Sequence, residues 1–253
     1  MTTLLQEKVS LVTGAGSGIG RASALAFANA GAKVLVADID AEGGAETVRL
    51  IEEEGGEALF FRADVSQPDD VEAMVRKVVD TWGRLDYAHN NAGIAEERVL
   101  TADLTEEVWD RTIDINLKGV WLCMKHEIQQ MLEQDGGAIV NTSSVVGLAG
   151  VRFMPAYVAS KHGVIGLTKA AALEYAKTGV RVNAVCPGPI LTPALEEYMK
   201  DNPKVGENLR GNNPSGRVGL TEEVAQAVVW LCSERTSYIT GHALAVDGGV
   251  LAT

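Results

Sequence analysis

Lys8–Gly20 reads KVSLVTGAGSGIG. A short apolar, β-branched run gives way at Thr13 to alternating glycines, and Ile19–Ala30 (IGRASALAFANA) then carries apolar residues at helical spacing. The order is strand, tight turn, helix. Glycines let a backbone turn sharply and bring N–H groups against a phosphate, and a helix N-terminus adds partial positive charge there. The spacing is not G-x-G-x-x-G in either frame: counting from Gly14 the sixth position is Ile19, and counting from Gly16 it is Arg21. It does fit T-G-x-x-x-G-x-G through Gly14, Gly18 and Gly20. A glycine turn that only packs helix on sheet is the competing reading. Placement after the first strand of an alternating pattern favours a dinucleotide site.

The alternation continues outward from this stretch. Strands are expected at Lys8–Thr13, Lys33–Asp38, Ala58–Ala63, Leu85–His89, Ala138–Thr142, Arg181–Cys186 and His242–Val246. Helices are expected at Ile19–Ala30, Ala41–Glu54, from Pro68 onward, Thr105–Glu133, Pro155–Lys177 and Thr221–Ser233. Gly55-Gly56 is a natural helix stop, and Pro68-Asp69-Asp70 a natural start. Strand–helix alternation implies parallel strands joined by crossover helices, with both sheet faces covered. The fold expected is α/β: one doubly wound domain over residues 1–253, without linker or repeat. Pro187–Pro214, rich in Pro, Asn and Gly, reads as an irregular insertion with a short helix at Pro193–Met199, and 188–214 as a lid.

Composition narrows the function. The 253 residues are 46% hydrophobic and 22% charged, a soluble globular balance with a large core. The net charge of -12 would repel a phosphate backbone, so nucleic acid is not an expected partner. No apolar run is long enough to span a bilayer, no basic amphipathic segment suits a membrane surface, and the N-terminus does not resemble a leader, so a cytoplasmic protein is expected. Cys123, Cys186 and Cys232 are far apart and odd in number, which suits buried reduced thiols. His89, His126, His162 and His242 show no ligand spacing, so no metal is expected.

Asp38 closes the second strand, close to 20 residues beyond the glycine turn. A carboxylate there accepts bonds from adenosine ribose hydroxyls and repels a 2′-phosphate, and no Lys or Arg adjoins it in sequence. NAD is therefore expected over NADP. The competing reading is a solvated turn acid in Asp38-Ile39-Asp40.

Further motifs stand in one order: Asp64-Val65, Asn90-Asn91-Ala92-Gly93, Asn116, Ser144, Tyr157 with Lys161, Pro187-Gly188, Thr240-Gly241 and Val246-Asp247-Gly248-Gly249. With Thr13–Gly20 they make the chain similar over essentially its whole length to the short-chain dehydrogenase/reductase family, in its compact single-domain branch. The resemblance implies a Rossmann-type sheet of about seven strands and hydride transfer between nicotinamide C4 and an alcohol or ketone carbon. It implies cofactor contacts from Gly14, Ser17, Gly18, Ile19 and Gly20, from Asp64 and Val65 at the adenine, and from Asn91, Ala92 and Gly93. It also implies contacts from Pro187, Gly188, Ile190 and Thr192 at the nicotinamide end.

Tyr157 and Lys161 stand one helical turn apart in AYVASK, Ala156–Lys161. Alone, this is an exposed helix face. Within the resemblance Tyr157 is the proton-transferring group, and Lys161 both lowers its pKa and holds the nicotinamide ribose. Making a phenol usable near neutral pH requires lowering its pKa by ~3 units, or ~4 kcal/mol in favour of phenolate. Ser144 can hydrogen-bond the reacting oxygen, with Ser143 its neighbour and competitor. Asn116 matches the asparagine that positions a relay water, and equally suits a helix-interior Asn bonding backbone.

Val145, Val146, Phe153, Met154, Ile190, Leu191, Leu195 and Met199 suggest an apolar pocket, hence a hydrophobic secondary alcohol or ketone. Arg152 reads as a surface charge. Ala159, Gly163, Gly166 and Ala170 thin one side of the Tyr157 helix, which permits close packing, and the resemblance implies a homotetramer. Two other functions fit the same motifs: an acyl-chain 3-ketoreductase, and an NAD(H)-binding sensor or scaffold without turnover.

Overall fold

The structure is a computed structural model that describes residues 4–96, 98–134 and 136–252. In chain order its elements are β1 (Val9–Thr13), α1 (Gly18–Asn29), β2 (Lys33–Asp38), α2 (Ala41–Glu53), β3 (Ala58–Arg62), α3 (Pro68–Trp82) and β4 (Tyr87–Asn90). Then come α4 (Glu106–Ile113), α5 (Gly119–Glu133), β5 (Gly137–Thr142), α6 (Pro155–Glu174), β6 (Val180–Pro187), α7 (Pro193–Asp201), α8 (Pro203–Gly211), α9 (Thr221–Cys232) and β7 (Ala243–Val246). The seven strands form one parallel sheet in the order β3-β2-β1-β4-β5-β6-β7.

That order reverses at β1 and β4, and the reversal opens a crevice beyond the strands' C-terminal ends. The central strands are buried on both faces, so they read as apolar runs. One core packs α3, α5 and α6 on the sheet through Val71, Met74, Val78, Leu122 and Val164. The other packs α1, α2 and α9 through Ala24, Phe27, Ile51, Val224 and Val228.

Local chemistry sets the ends. Asp40 caps α2 by accepting the Glu42 N–H at 3.1 Å. Pro68 opens α3, and Gly83, at φ 77°, closes it in the left-handed conformation. At the C-terminus of α9 the Arg181 guanidinium donates to the carbonyls of Leu231, Cys232 and Ser233.

Several expected boundaries shift. The strand expected at Leu85–His89 runs Tyr87–Asn90. The helix expected at Thr105–Glu133 is continuous but widens into a π turn over Asp114–Lys118, which joins α4 to α5. The segment between Pro187 and Pro214, read as irregular around a short helix at Pro193–Met199, holds that helix as α7, two residues longer, and a second, unexpected helix, α8. Pro203 is the first residue of α8 rather than a breaker, and Gly206 lets Met199 pack close, since a Cβ there would lie 3.2 Å from Met199 Cε.

Candidate active site

The crevice is a cleft of about 660 Å³. One end is built by the glycine turn between β1 and α1. Gly14 and Gly18 have φ of 62° and 52°, conformations that favour glycine. A Cβ at Gly20 would lie 2.0 Å from the Gly14 carbonyl oxygen, so only glycine lets α1 begin this close to the strand. Gly14, Ser17, Gly18 and Ile19 line the cleft, while Gly20 supports them from behind.

Asp38 lies at the tip of β2, on the cleft wall beside Ile39. Its Oδ2 accepts the Gly16 N–H at 2.7 Å and its Oδ1 accepts the Asp40 N–H at 2.9 Å. The carboxylate therefore ties the glycine turn to the second strand. A cation does stand nearby, which the sequence neighbourhood of Asp38 conceals: Arg21 donates to the carbonyls of Gly16 and Gly43 and, at 3.0 Å, to Thr47. Those bonds hold it in the α1–α2 joint. Asp64 and Val65 line the same end, with Asp64 Oδ1 accepting from the Ser66 N–H and hydroxyl at 2.9 and 2.7 Å.

Asn91, Ala92 and Gly93 follow β4 and line the middle of the cleft. Asn91 Nδ2 donates to the Thr13 and Gly14 carbonyls at 3.1 and 3.2 Å. Thr13 Oγ1 accepts the N–H groups of Asn91 and Ala92 at 3.0 and 3.1 Å. These bonds fix the turn after β4 against the glycine turn.

Tyr157 and Lys161 project from α6 into the other end of the cleft. The Lys161 ammonium lies 5.5 Å from the centroid of the Tyr157 ring and donates to the Thr142 carbonyl at 2.9 Å. Burial pushes the Lys161 pKa down to about 8. Burial likewise raises the Tyr157 phenol, and a hydrogen bond shared with the Ser144 side chain draws it back. The two serines separate cleanly. Ser143 donates to the Lys161 carbonyl at 2.8 Å, inside the protein, whereas Ser144 is the one beside the phenol. Neither Ser144 nor Asn116 is on the cleft wall itself. Asn116 is fully buried in the π turn, where Oδ1 accepts the Ile94 N–H and Nδ2 donates to the Ile94 carbonyl, both at 2.8 Å. Its Nδ2 also reaches Ser160 Oγ at 3.3 Å.

Beyond β6, Thr192 lines the cleft and its side chain closes over Gly18. Pro187, Gly188 and Ile190 stand behind it. Gly188 packs so close to Asp247 that a Cβ would lie 2.9 Å from its Cα, and Ile190 pairs with Gly219. The cleft also gathers Ile94, Ala95, Arg111, Thr142, Pro193 and Ala194, which the sequence motifs did not single out. Pro193 adjoins a motif threonine, but nothing local marks Thr142 or Arg111.

Comparison with known proteins agrees with this architecture. The family described as "Enoyl-(Acyl carrier protein) reductase" matches residues 14–251. Cyclohexanol dehydrogenase of Acinetobacter sp. (strain SE19) is 45% identical, over 98% of this chain and 96% of that protein. The chain belongs to the short-chain dehydrogenase/reductase family. Another relative, 2,5-dichloro-2,5-cyclohexadiene-1,4-diol dehydrogenase of Sphingobium indicum (strain DSM 16412 / CCM 7286 / MTCC 6364 / B90A), is 43% identical over 98% of each chain. The crystal structure of levodione reductase superposes with a TM-score of 0.95 at 39% identity, covering 98% of this chain and 99% of that one. A further solved structure, 35% identical with a TM-score of 0.91, covers 100% of this chain and 99% of its own and holds bound NADP. Membership makes the chain an oxidoreductase that uses a nicotinamide cofactor and interconverts a secondary alcohol and a ketone.

Proposed function

We propose that the chain is an NAD-preferring dehydrogenase of secondary alcohols carried on a six-membered carbocycle, with Tyr157 exchanging the substrate proton. The observation that carries this reading is the make-up of one cleft: a glycine cradle and a carboxylate at one end, and Tyr157 with Lys161 at the other. The names of the cyclohexanol and cyclohexadiene-diol relatives support the ring.

The residues present suit a dinucleotide. Gly14 and Gly18, both at positive φ, shape the turn at the start of α1, where backbone N–H groups suit phosphates. Asp38 suits a ribose diol, and Arg21, which lies beside the glycine turn, is engaged by the Gly16 and Gly43 carbonyls, which favours NAD over NADP. Asp64 and Val65 would flank the adenine; Asn91, Ala92 and Gly93 would line the middle; Pro187, Gly188, Ile190 and Thr192 would back the nicotinamide. When bound, the cofactor supplies the hydride acceptor or donor.

The chain's own residues handle the proton and the oxygen. Tyr157, as phenolate, takes the hydroxyl proton of the alcohol or, as phenol, returns it to the ketone. Ser144 steadies the reacting oxygen as charge develops on it. Lys161 holds a positive charge beside the ring, which favours phenolate against the effect of burial. Asn116 holds the Ile94 backbone and so shapes the route by which protons leave Lys161.

Residues 188–214, with α7 and α8, form the lid of a single catalytic domain. Its far end is anchored by Asn213, whose Nδ2 donates to the Asp247 carbonyl at 3.1 Å. Ile113, Leu117, Trp121, Gly163 and Leu167, with Lys118 beside them, line a largely apolar groove between α6 and the π turn that joins α4 to α5, which supports a homotetramer. The assembly is read as cytoplasmic; no described helix is long and apolar enough to cross a membrane.

An absorbance screen for NADH formation tests the reading, using cyclic and open-chain secondary alcohols, sugars and hydroxyacyl thioesters. Cyclic secondary alcohols should give the highest kcat/KM. Turnover confined to hydroxyacyl thioesters would favour the acyl-chain ketoreductase, a reading supported by a relative named 3-oxoacyl-[acyl-carrier-protein] reductase. No turnover with any substrate, together with tight NADH binding, would favour the sensor.

A further inference from the structure

Arg111, in the last turn of α4, is exposed and lines the cleft. Ile115, one turn later, lines it too, and Asn116 beside it holds the Ile94 backbone through hydrogen bonds of 2.8 Å. α4 packs on α6, on the sheet face opposite α1, so Arg111 stands on the cleft wall across from the glycine turn. Among the described residues its guanidinium makes no hydrogen bond and no ion pair, and Lys161 is the only other cation on the wall. Lys161 is committed at the Tyr157 end, where it donates to the Thr142 carbonyl at 2.9 Å.

The side-chain charges on the wall balance as they stand, Asp38 and Asp64 against Lys161 and Arg111. A dinucleotide brings a doubly negative pyrophosphate. The N-terminus of α1 offers only about half a positive charge to it. Arg21, near in sequence, is spent on the Gly16 and Gly43 carbonyls and does not line the cleft. The net charge of -12 adds a background that repels an anionic ligand. The phosphates therefore lack a cation on the glycine side, and the opposite wall holds one that is unpaired. A planar guanidinium with its donors free suits paired phosphate oxygens.

We propose that Arg111 binds the pyrophosphate of the dinucleotide from the wall that faces the glycine turn. The anion is then held between a helix N-terminus on one side and a guanidinium on the other. This rests on the placing of the phosphates at the glycine turn, proposed above. Arg111 gives up no bond to another described residue when it turns to the phosphates, so its whole interaction counts toward cofactor affinity.

The test is NADH binding by fluorescence titration, with displacement of NADH by ADP-ribose and by adenosine, in the wild type, Arg111→Lys, Arg111→Gln and Arg111→Glu. Circular dichroism checks the fold. Arg111→Gln should raise the Kd of NADH and of ADP-ribose by about tenfold, within the range for a lost hydrogen bond between charged groups, and leave that of adenosine within about twofold. Arg111→Glu should weaken both phosphate ligands further, and Arg111→Lys should recover most of the loss. Added salt should weaken NADH binding less in Arg111→Gln than in the wild type. An unchanged Kd for NADH in Arg111→Gln, or an equal loss for adenosine and ADP-ribose, would overturn the proposal. So would unchanged NADH binding with a fall in kcat/KM confined to alcohols that carry a carboxylate, which would assign Arg111 to the substrate. A wild type that binds ADP-ribose no better than adenosine would instead overturn the placing of the phosphates, and this proposal with it.

Discussion

Lys161 Nζ donates to the Thr142 carbonyl at 2.9 Å while lying 5.5 Å from the centre of the Tyr157 ring. One buried cation is thus pinned to the end of β5 and presented to the phenol one helical turn earlier. Burial alone acts against both groups, raising the phenol and lowering the ammonium to about 8. The pair works as a proton-transfer device only if the lysine keeps its charge beside the ring. Tyr157→Phe should therefore bind NADH with near wild-type affinity and lose kcat by a factor of about a thousand or more. Lys161→Met should weaken NAD binding. It should also move the alkaline-rising limb of alcohol oxidation to higher pH, because less phenolate exists at a given pH. Steady-state kinetics from pH 6 to 10 give both results. Near wild-type kcat in Tyr157→Phe would sink the mechanism.

Asp38 does two jobs in the geometry, and they can be separated. Its Oδ2 accepts the Gly16 N–H at 2.7 Å, so removing the side chain loosens the glycine turn as well as the ribose site. Asp38→Asn keeps an acceptor for Gly16 and removes the charge that repels a 2′-phosphate. It should lower the NAD-to-NADP ratio of kcat/KM by about tenfold or more, mainly through KM. A ratio that does not move, or a wild type that prefers NADP, would show that Asp38 is only a structural brace.

How much of this was legible in the chain differs from place to place. The glycine turn, Asp38, and the Tyr157–Lys161 pair were readable because each is a local pattern whose chemistry depends on near neighbours in sequence. The π turn at Asp114–Lys118 was not, because apolar helical spacing runs through it undisturbed. Arg21 was missed as a neighbour of Asp38 because α1 carries it across to α2. Thr142 was missed because its contribution is a backbone carbonyl, which any residue possesses. Arg111 reads as an ordinary helix-face charge until the fold sets α4 along the cleft.

Two buried ionisable groups in β4 and α5 give the stability a pH dependence of opposite signs. His89 is fully buried, bonds Thr142 Oγ1 at 2.8 Å through Nε2, and is pushed down to about 3. The unfolded histidine takes a proton near pH 6.5, so stability from this group is complete above that and is lost as pH falls toward about 3. Glu127 accepts from Asn90 Nδ2 at 2.9 Å and is pushed up by burial to about 8. The unfolded carboxyl ionises near 4.5, so stability declines as pH rises from there to about 8 and then levels off. Glu127→Gln should match the wild type near pH 4 and exceed it increasingly toward pH 8. His89→Gln should flatten the acid side of the profile. Melting temperature against pH from 4 to 9 reads both. A constant offset between Glu127→Gln and the wild type across that range would refute the assignment.

The groove between the π turn and α6 predicts how copies of the chain meet. Trp121 is 47% exposed beside Leu117 and Gly163, a large apolar side chain for a solvent face. Gly163 is filled from within the chain, since a Cβ there would lie 2.7 Å from Leu117 Cδ2. Gly166 differs: a Cβ at that position meets nothing within 4 Å. Glycine inside a helix costs roughly 0.5–1 kcal/mol relative to alanine, so an isolated α6 would gain from Gly166→Ala. Open space beside a glycine on a thin helix face is what a second α6 needs in order to approach closely. The wild type should therefore run as a tetramer in light scattering, and Trp121→Glu should yield smaller species that keep their helical circular dichroism. Gly166→Leu should likewise break the tetramer, although nothing in its own chain opposes the added side chain. A monomeric wild type, or a Gly166→Leu protein that remains tetrameric and melts at a higher temperature, would mean that this face meets only water.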